Sequence, residues 1–472
     1  MIKNKYYITT TAPYVNADPH IGFALEIVQA DVMARYKKLM GYDVAFGFGT
    51  DEHGLKIYRK AIEEKKSPQE YCDFFAKRFD SLKILLNLST THFIRTTDAP
   101  HIRAAQEFWM RCFNNGDIYK KNYRVKYCVG CELEKTDSEL VSDRCPIHPN
   151  MEIDNYEEEN YFFKFSKYED RLLKLYKNNS RFVLPAHRQL EINTFVKKGL
   201  QDFSVSRLKT KMPWGIEVPN DDKHVMYVWF DALIFYISNI GWPHAMKEFE
   251  QWWPVVQIAG KDNLRQQSAI WQAMLMSAGI QNSKQIIIHG FITSNGKKMS
   301  KSLGNVVDPF KLINKYGVDP VRYYLLKEIP SVEDGDYSDN RMKEIYNSDL
   351  ANELGNLVSR ITTLAEKDKL TISNQDASIF NKQQGTLFEA FDFNTILDSI
   401  WVGIKDINKK VNDFAPWNKS SDDRKEFLEN MVRKLHVIGQ QLLPFIPTTS
   451  EKIIASTQGN ITKAPPLFPR LK

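Results

Sequence analysis

Long hydrophobic runs are missing from this 472-residue chain. A transmembrane helix needs roughly 18–20 consecutive apolar residues, and no such stretch occurs, so we expect no membrane association. The first residues also lack the apolar core and small-residue cleavage site of a signal peptide. Together these absences favour a cytoplasmic protein.

Cysteine is scarce, with five in the chain, but Cys128, Cys131 and Cys145 lie close together in sequence. In a cytosolic chain, clustered cysteines favour a metal site over disulfide bonds. Cys145 also begins a short segment that ends at His148, so two hooks with ligand spacing follow one another. Three thiolates and one imidazole suit tetrahedral Zn²⁺, and four protein ligands leave no position for a reacting water. The spacing predicts one structural zinc ion held by Cys128, Cys131, Cys145 and His148.

An excess of charge of one sign is also absent. The net charge of +6 comes from 64 basic and 58 acidic residues. This slight excess is compatible with nucleic-acid binding and equally with an enzyme for small substrates, so charge alone excludes neither. Internal repeats and low-complexity segments are lacking as well, and the length indicates two to four domains at about 100–200 residues each.

The order of predicted strands and helices points to a mixed α/β protein. The pattern predicts a strand at 5–10, a helix at 21–40 and a strand at 43–49, and a similar unit at 254–259, 264–278 and 285–289. Strands joined through a helix make a parallel sheet. Helical spacing dominates 341–367, 384–414 and 424–443, which predicts a bundle. We therefore expect a Rossmann-like parallel sheet, split by a zinc-binding insertion and followed by an all-α bundle.

Two segments have the composition of phosphate-binding loops. His20 and Gly22 stand where the first strand's loop becomes a helix, and a helix N-terminus favours anions. Lys298 and Lys301 lie in a Gly- and Ser-flanked loop after a predicted strand, where cations stabilise charge that develops on a phosphate. Taken singly, a histidine such as His20 is more often a helix cap or a packed ring, and a lysine-rich loop is more often a solvated turn.

Together, HIG at 20–22 and KMSKS at 298–302 resemble the two signature motifs of class I aminoacyl-tRNA synthetases. The resemblance implies that an amino-acid carboxylate attacks the α-phosphorus of ATP, with Mg²⁺ accompanying ATP, and that the aminoacyl group then passes to the 3′ end of tRNA. His20, Lys298 and Lys301 take the catalytic roles in this comparison. The chain departs from the first motif at Phe23, where the family usually has a second histidine.

Further segments are similar to those of the methionyl-tRNA synthetase family within class I. These are APYVN at 12–16, GTDEHG at 49–54, YVWFDA at 227–232, GKD at 260–262 and APW at 415–417. The resemblance spans almost the whole chain and implies that ATP, L-methionine and tRNA(Met) are the partners.

Carried over by position, the resemblance implies three sets of binding residues. The set implied to bind ATP is His20, Gly22, Glu26, Gly260, Asp262, Lys298 and Lys301. The set implied to bind methionine is Ala12, Tyr14, Asp51, Trp229, Ala232, Leu233, Tyr236, Asn263 and Gln267. The set implied to read the tRNA anticodon is Asn356, Arg360 and Trp417. Within the methionine set, Asp51 is expected to accept the substrate ammonium.

Other interpretations of these residues remain open from the sequence. The aromatic residues near Trp229 have near-helical spacing that is typical of a core. Asn356 and Arg360 fit a plain helix surface, and Trp417 fits a core tryptophan. Gln267 stands where many relatives have a histidine near the methionine sulfur, Asn263 where an aliphatic residue is common, and Leu233 where a proline is common.

The implied division of the chain follows these motifs. We expect 1–116 and 213–290 to form the two halves of the catalytic domain, 117–212 the zinc-knuckle insertion, 291–345 the KMSKS loop and stem-contact linker, and 346–472 the helical anticodon-binding domain. A monomer is expected. Two alternatives are a small-molecule nucleotidyltransferase that shares the phosphate motifs, and a catalytically weakened tRNA-binding relative.

Overall fold

The structure is a computed structural model that describes residues 4–131, 133–135, 139–299, 304–373 and 379–471. Backbone contacts divide the chain into two compact units. We call Met1–Pro19, Tyr42–Ser81 and Thr90–Ile288 the sheet unit, and His20–Gly41, Leu82–Ser89 and His289–Lys472 the helical unit. Among the described residues, no helix combines the length and apolar composition that crossing a bilayer requires.

The chain opens with the predicted strand–helix–strand order. Strand β1 is Lys5–Thr9, helix α1 is Ile21–Leu39 and strand β2 is Asp43–Thr50. His20 caps α1, because its Nδ1 accepts a hydrogen bond from the Gly22 N–H at 3.0 Å. The helix ends before Gly41, which adopts a left-handed φ of 84° that glycine tolerates without a Cβ clash.

The sheet unit contains thirteen strands among its described residues. After β1 and β2 they are β3 His92–Arg95, β4 Ile118–Cys128, β5 Leu133–Lys135, β6 Asp154–Phe163, β7 Val183–Leu184, β8 Phe203–Ser204, β9 Ser206–Leu208, β10 Glu217–Val218, β11 Asp221–Met226, β12 Val256–Gly260 and β13 Gln285–His289. Six of them form the central sheet in the order β3–β2–β1–β12–β13–β7. The pairings β3–β2, β2–β1, β1–β12 and β13–β7 are parallel, which confirms the predicted α/β class.

The segment predicted as an insertion contributes strands to three sheets, and in one of them its strand β9 pairs with β11. Strands β5, β4, β6 and β8 make an antiparallel sheet in that order, and this sheet leads into the cysteine hooks. Strand β7 comes from the same segment, yet it pairs with β13 as the edge of the central sheet. A two-residue strand has too little pattern to be identified from sequence.

Helices of the sheet unit surround a core rich in aromatic rings. They are α2 Leu55–Glu63, α3 Pro68–Leu85, which continues into the helical unit, α4 Ala99–Asn114, α5 Glu169–Asn178, α6 Ala186–Lys197, α7 Val228–Leu233, α8 Phe235–Ser238, α9 Met246–Trp252 and α10 Trp271–Ser277. Phe108 is fully buried and contacts the rings of Phe230, Trp242 and Trp271. The predicted helix at 264–278 contains a π-helical turn over Gln266–Ile270 before α10 begins.

The helical unit holds most of the remaining elements. Its strands are β14 Ile292–Ser294, β15 Lys297–Lys298, β16 Gly335–Tyr337, β17 Thr371–Ile372 and β18 Gly459–Asn460. Its helices after α1 are α11 Pro309–Tyr316, α12 Val318–Lys327, α13 Asp339–Ile345, α14 Asn356–Lys367, α15 Lys382–Glu389, α16 Phe393–Phe414, α17 Ser421–Leu442 and α18 Pro447–Ala455. The predicted bundle is therefore present.

The helical unit departs from the pattern in two details. A π-helical stretch, Tyr346–Gly355, separates α13 from α14, where one continuous helix was expected. The single helix predicted at 384–414 is two helices, because Phe391 adopts a left-handed φ of 59° and Asp392 caps a new start.

Candidate functional site

Asp51 lies at the carboxyl end of β2, beside the opening loop. The Asp51 N–H donates to the Pro13 carbonyl at 2.9 Å, and the Val15 N–H donates to the Asp51 carbonyl at 3.1 Å. Tyr14 and Asp51 thereby form a parallel bridge, and both side chains are half-buried. Ligands of parallel α/β sheets bind at the carboxyl ends of the strands, so this edge is where a substrate site is expected.

The residue after Asp51 anchors the turn. Glu52 is fully buried and receives two hydrogen bonds from the Arg95 guanidinium, at 2.7 and 2.8 Å. The Trp214 indole N–H donates to the Glu52 carbonyl at 2.6 Å. Glu52 is therefore engaged in an ion pair. Among the described residues, the group whose ligand atoms could hold a metal ion is the cluster of Cys128, Cys131, Cys145 and His148.

His53 joins a buried network that the sequence did not reveal. Asp231 is fully buried, and its carboxylate lies 2.8 Å from His53 Nδ1 and 3.0 Å from His101 Nε2. Burial raises the pKa of Asp231, but the two histidines outweigh it and hold that pKa below its usual value. The sequence feature that could have indicated this network is the acidic residue within the aromatic YVWFDA segment, because a buried carboxylate needs a hydrogen-bonding or charged partner.

The predicted walls of the methionine pocket lie on α7 and α8. Trp229 and Ala232 are half-buried, whereas Leu233 and Tyr236 belong to the core. Trp229 packs with Tyr14 against one small apolar cluster of the sheet unit. Ala12 packs against the larger core that contains Leu233 and Tyr236. Tyr14 and Trp229 therefore border the same small cluster. The core interpretation holds for Leu233 and Tyr236, and Trp229 and Ala232 keep part of their surface exposed.

The residues after β12 complete the predicted set in the sheet unit. Gly260 ends β12 and is buried, Asp262 is exposed, and Asn263 is half-buried. Gln267 is only 3% exposed, and its side-chain oxygen accepts a hydrogen bond from Gln257 at 2.8 Å. Gln267 lies in the π-helical turn, a backbone feature that is frequent at functional sites.

The first phosphate motif lies in the helical unit. His20 is exposed beside the start of α1, and a Cβ added at Gly22 would come within 2.9 Å of its ring. Phe23 is buried, so it does not present its ring to solvent in place of a histidine. Glu26 is also buried and lies 3.0 Å from His289 Nε2, while His289 Nδ1 donates to the Gly290 carbonyl at 2.7 Å.

The second phosphate motif begins in a hairpin of the helical unit. Strands β14 and β15 pair around Asn295 and Gly296, both with left-handed φ, as a tight hairpin turn requires. Asp336 accepts a hydrogen bond from the Gly296 N–H at 2.8 Å and so holds the turn. Lys298 is exposed at the end of the hairpin, and Lys301 lies outside the described residues.

The four predicted zinc ligands converge. Their ligand atoms all lie within 4.8 Å of one another. Cys131 Sγ is 3.5 Å from Cys145 Sγ and 3.2 Å from His148 Nδ1, and Cys128 Sγ is 3.8 Å from His148 Nδ1. Zinc–sulfur bonds of about 2.3 Å imply ligand separations of about 3.8 Å in a tetrahedron, so the donor set fits one zinc ion.

Two of the predicted anticodon residues, Arg360 and Trp417, lie beside each other in the helical unit. The Arg360 guanidinium lies 5.9 Å from the centre of the Trp417 ring and donates to the side-chain oxygens of Asn408 and Asn412 at 2.9 Å each. Trp417 is 47% exposed, which excludes the core interpretation for this residue. Asn356 is exposed on α14, four residues before Arg360.

Comparison with known proteins places this geometry in a family. A protein-family model described as "tRNA synthetases class I (M)" matches residues 6–362. The methionine–tRNA ligase of Thermotoga maritima is 41% identical over 471 residues, which cover 95% of this chain and 74% of that protein. The methionine–tRNA ligase of Rickettsia felis is 40% identical, covering 100% of this chain and 95% of its own length.

A solved structure extends the likeness to three dimensions. Mycobacterium tuberculosis methionyl-tRNA synthetase, in complex with methionyl-adenylate, has a TM-score of 0.92 at 35% sequence identity and covers 99% of this chain and 100% of its own. The sequence matches and the fold agree over nearly the full length. The chain belongs to the methionine–tRNA ligase family of class I aminoacyl-tRNA synthetases.

Proposed function

We propose that this chain activates L-methionine with ATP, forming methionyl-adenylate and pyrophosphate, and then transfers methionine to the 3′ end of tRNA(Met). The observation that carries the proposal is the full-length likeness to a synthetase bound to methionyl-adenylate. The placement of Asp51 and Tyr14 at the carboxyl ends of parallel strands supports it from the chain's own geometry.

The methionine site is assigned to the sheet unit. Asp51 accepts the substrate ammonium, a charge-assisted hydrogen bond. Ala12, Tyr14, Trp229, Ala232, Leu233 and Tyr236 form the walls of the side-chain site, with Asn263 and Gln267 as its polar members. Aromatic walls suit a thioether, because sulfur–ring contacts contribute about 0.3–1.5 kcal/mol each.

The ATP-binding roles are divided among short segments. Gly260 and Asp262 at the end of β12, with Glu26 on α1, bind the adenosine. His20 donates a hydrogen bond to phosphate oxygens, and Gly22 lets the ligand approach the helix start because it has no Cβ. Lys298 and Lys301 stabilise negative charge on the leaving pyrophosphate. Mg²⁺ enters with ATP, bound by its phosphates.

Zinc is assigned a structural role. Four protein ligands close the coordination sphere, so Cys128, Cys131, Cys145 and His148 hold the ion and fix the knuckle. Anticodon reading is assigned to Asn356, Arg360 and Trp417, where an exposed indole offers a stacking surface for a splayed base.

The proposal is tested by amino-acid-dependent exchange of pyrophosphate into ATP, run with each of the twenty amino acids, followed by charging of tRNA(Met). We expect exchange with methionine above all others and charging that needs tRNA(Met). Exchange with leucine or cysteine but not methionine would overturn the specificity. Absence of exchange with every amino acid would favour the catalytically weakened tRNA-binding relative.

A further inference from the structure

The net positive charge of the chain is concentrated in one short segment. Residues 164–200 contain nine of the 64 basic residues and three of the 58 acidic ones, a net charge of +6. The rest of the chain therefore has 55 basic and 55 acidic residues, which balance. We call residues 164–200, which contain helices α5 and α6, the basic hairpin. A total charge that is uninformative by itself thus has a definite place in the molecule.

Helices α5 and α6 run antiparallel within the sheet unit. At one end, the Glu169 carboxylate accepts a hydrogen bond from the Leu200 N–H at 3.2 Å. At the other end, the Gln189 side chain donates to the Tyr176 carbonyl at 3.4 Å. The buried apolar side chains of the two helices follow helical spacing and are Leu172, Tyr176, Ile192 and Val196. The core therefore covers the apolar faces of both helices, and their charged faces are left outside.

The outer face of the basic hairpin carries lysines without acidic partners. Four of them are exposed and form no ion pair with another residue that the structure describes, namely Lys174, Lys177, Lys197 and Lys198. We call these the hairpin lysines. The acidic residues of the hairpin do not neutralise them, since Glu191 pairs with Arg188 at 2.6 Å. Uncompensated cations on one face create a positive potential that attracts a polyanion.

The composition of this face favours a nucleic acid over a protein or a membrane. Interfaces between proteins are depleted in lysine. A helix that lies on a membrane inserts an apolar face, whereas the apolar faces of α5 and α6 are buried in the core. Leu190 is the one large apolar side chain exposed among residues 164–200, all of which are described. Lysine binds phosphate as a point charge, so this face suits a phosphate backbone.

The basic hairpin contacts the segment that follows β12. Tyr176 Oη donates to the Ser268 carbonyl in the π-helical turn at 2.6 Å. The Arg265 guanidinium lies 4.5 Å from the centre of the Phe195 ring on α6, and Arg265 is itself exposed, so it adds a cation at this contact. Asp262, to which the proposed function assigns adenosine binding, lies three residues before Arg265. A polyanion on the hairpin would therefore lie on an element that supports the proposed synthetic site.

We propose that the hairpin lysines bind the phosphate backbone of tRNA and hold it on the sheet unit while its 3′ end is charged. The inference rests on the proposed function, because it takes tRNA as the substrate. Contacts with phosphate fix the position of a nucleic acid and carry no sequence information. This surface therefore binds cognate and non-cognate tRNA alike, in contrast to the residues assigned to anticodon reading.

The test compares the wild-type chain with a variant in which all four hairpin lysines are replaced, Lys174→Gln, Lys177→Gln, Lys197→Gln and Lys198→Gln. Binding of tRNA(Met) and of a non-cognate tRNA is measured from about 50 to 200 mM salt. We expect the variant to bind both tRNAs at least about tenfold more weakly at low salt. The slope of log K against log salt should become shallower by about three, since each lost phosphate contact removes roughly 0.7–0.9. Pyrophosphate exchange, which needs no tRNA, should stay unchanged.

Two controls separate local binding from the loss of total charge. Replacing the hairpin lysines by arginine keeps the cations and should retain the wild-type slope. A second variant removes the same net charge from four exposed lysines elsewhere in the sheet unit, Lys60→Gln, Lys77→Gln, Lys247→Gln and Lys284→Gln. This variant should bind both tRNAs with the wild-type slope.

Three outcomes would contradict these assignments. Equal changes of slope in the hairpin and control variants would overturn the inference, because total charge would then explain them. Unchanged tRNA binding together with lost binding to vesicles of phosphatidylcholine and phosphatidylserine would overturn it in favour of a membrane. Failure of the wild-type chain to exchange pyrophosphate with methionine would instead overturn the proposed function, while the salt dependence of tRNA binding would still test the hairpin.

Discussion

Asp51 owes its position to its neighbours on both sides. The opening loop pairs with its backbone, and Glu52, the next residue, is held by Arg95 and Trp214. A turn held in this way fixes the carboxylate to which the proposed function assigns the substrate ammonium, so little conformational freedom would be lost on binding. The motif locates Asp51 in the sequence, but Arg95 and Trp214 are distant in the chain and no local pattern announces them.

Asp51→Asn should therefore weaken methionine binding without unfolding the chain. The loss of one charged hydrogen bond of about 1.5–3 kcal/mol corresponds to about a 10- to 100-fold fall in kcat/KM for methionine. Pyrophosphate exchange at varied methionine concentration measures this. Asp43→Asn is the control, because Asp43 lies at the other end of β2 in a partly exposed pair with Lys5. An equal loss in both variants would refute the assigned role.

At the scale of elements, the predicted zinc knuckle depends on one glycine as well as on four candidate ligands. A Cβ at Gly130 would lie 2.5 Å from Cγ of His148, so a side chain here would push the imidazole away. The ligand spacing was readable from the sequence because the hooks are local. The need for Gly130 became visible only when His148 was placed against it.

Cys145→Ala should abolish stoichiometric zinc binding and loosen the knuckle, because a structural zinc site contributes directly to local folding. Elemental analysis of purified protein gives the zinc content, and hydrogen exchange over residues 139–163 gives the local protection. Cys112→Ala is the control, since Cys112 is buried on α4 away from the four ligands. Full zinc content in Cys145→Ala would exclude this residue as a ligand.

A buried ion pair joins α1 to α12 within the helical unit. Asp31 on α1 and Arg322 on α12 are both fully buried, with an oxygen–nitrogen distance of 2.7 Å. Arg35 lies 2.7 Å from the same oxygen, and the Ser89 N–H donates to the other at 2.6 Å. Burial raises the pKa of Asp31, but Arg322 and Arg35 outweigh it and hold that pKa below its usual value.

The lowered pKa sets the sign of a pH effect. Stability from ionised Asp31 is fully present above the unfolded-state pKa of about 3.9 and declines as pH falls towards the lower folded-state pKa. Asp31→Asn should therefore lower the free energy of unfolding by about 3–5 kcal/mol near pH 7, as expected for a broken buried pair. The decrease should be smaller below pH about 4. Urea unfolding at both pH values measures it. Asp406→Asn, in an exposed pair with Lys410, should leave stability unchanged. A pH-independent cost would contradict the assignment.

At the scale of the whole molecule, the contacts group the chain differently from the predicted boundaries. Helix α1 lies between two strands of the sheet unit in sequence, yet its contacts assign it to the helical unit. The Glu26–His289 and Asp31–Arg322 pairs show why, since both join α1 to residues far along the chain. The helical unit thus contains His20, Lys298 and the Arg360–Trp417 surface, which the proposed function assigns to different steps.

Methionine activation and tRNA reading should nevertheless be separable by mutation, because the proposed function assigns them to different residues. Trp417→Ala should remove the stacking of one base, which contributes about 1–3 kcal/mol, and should lower kcat/KM for charging of tRNA(Met) accordingly. Pyrophosphate exchange should stay unchanged. Trp417→Phe should retain part of the charging activity, because it keeps a stacking ring. Val402→Ala, at an exposed position of α16, is the control. Equal loss of exchange and charging would argue against an anticodon role.

The sequence by itself determined the features that depend on local spacing. The order β1–α1–β2, the cluster of four candidate metal ligands, the two predicted phosphate motifs and the helical character after residue 339 all follow from neighbouring residues. The tertiary structure alone decided the features that depend on distant partners. Strand β7 needs β13 to be a strand, and the buried carboxylate of Asp231 needs His53 and His101 beside it. These contacts join residues that are far apart in the chain, and no local residue pattern records them.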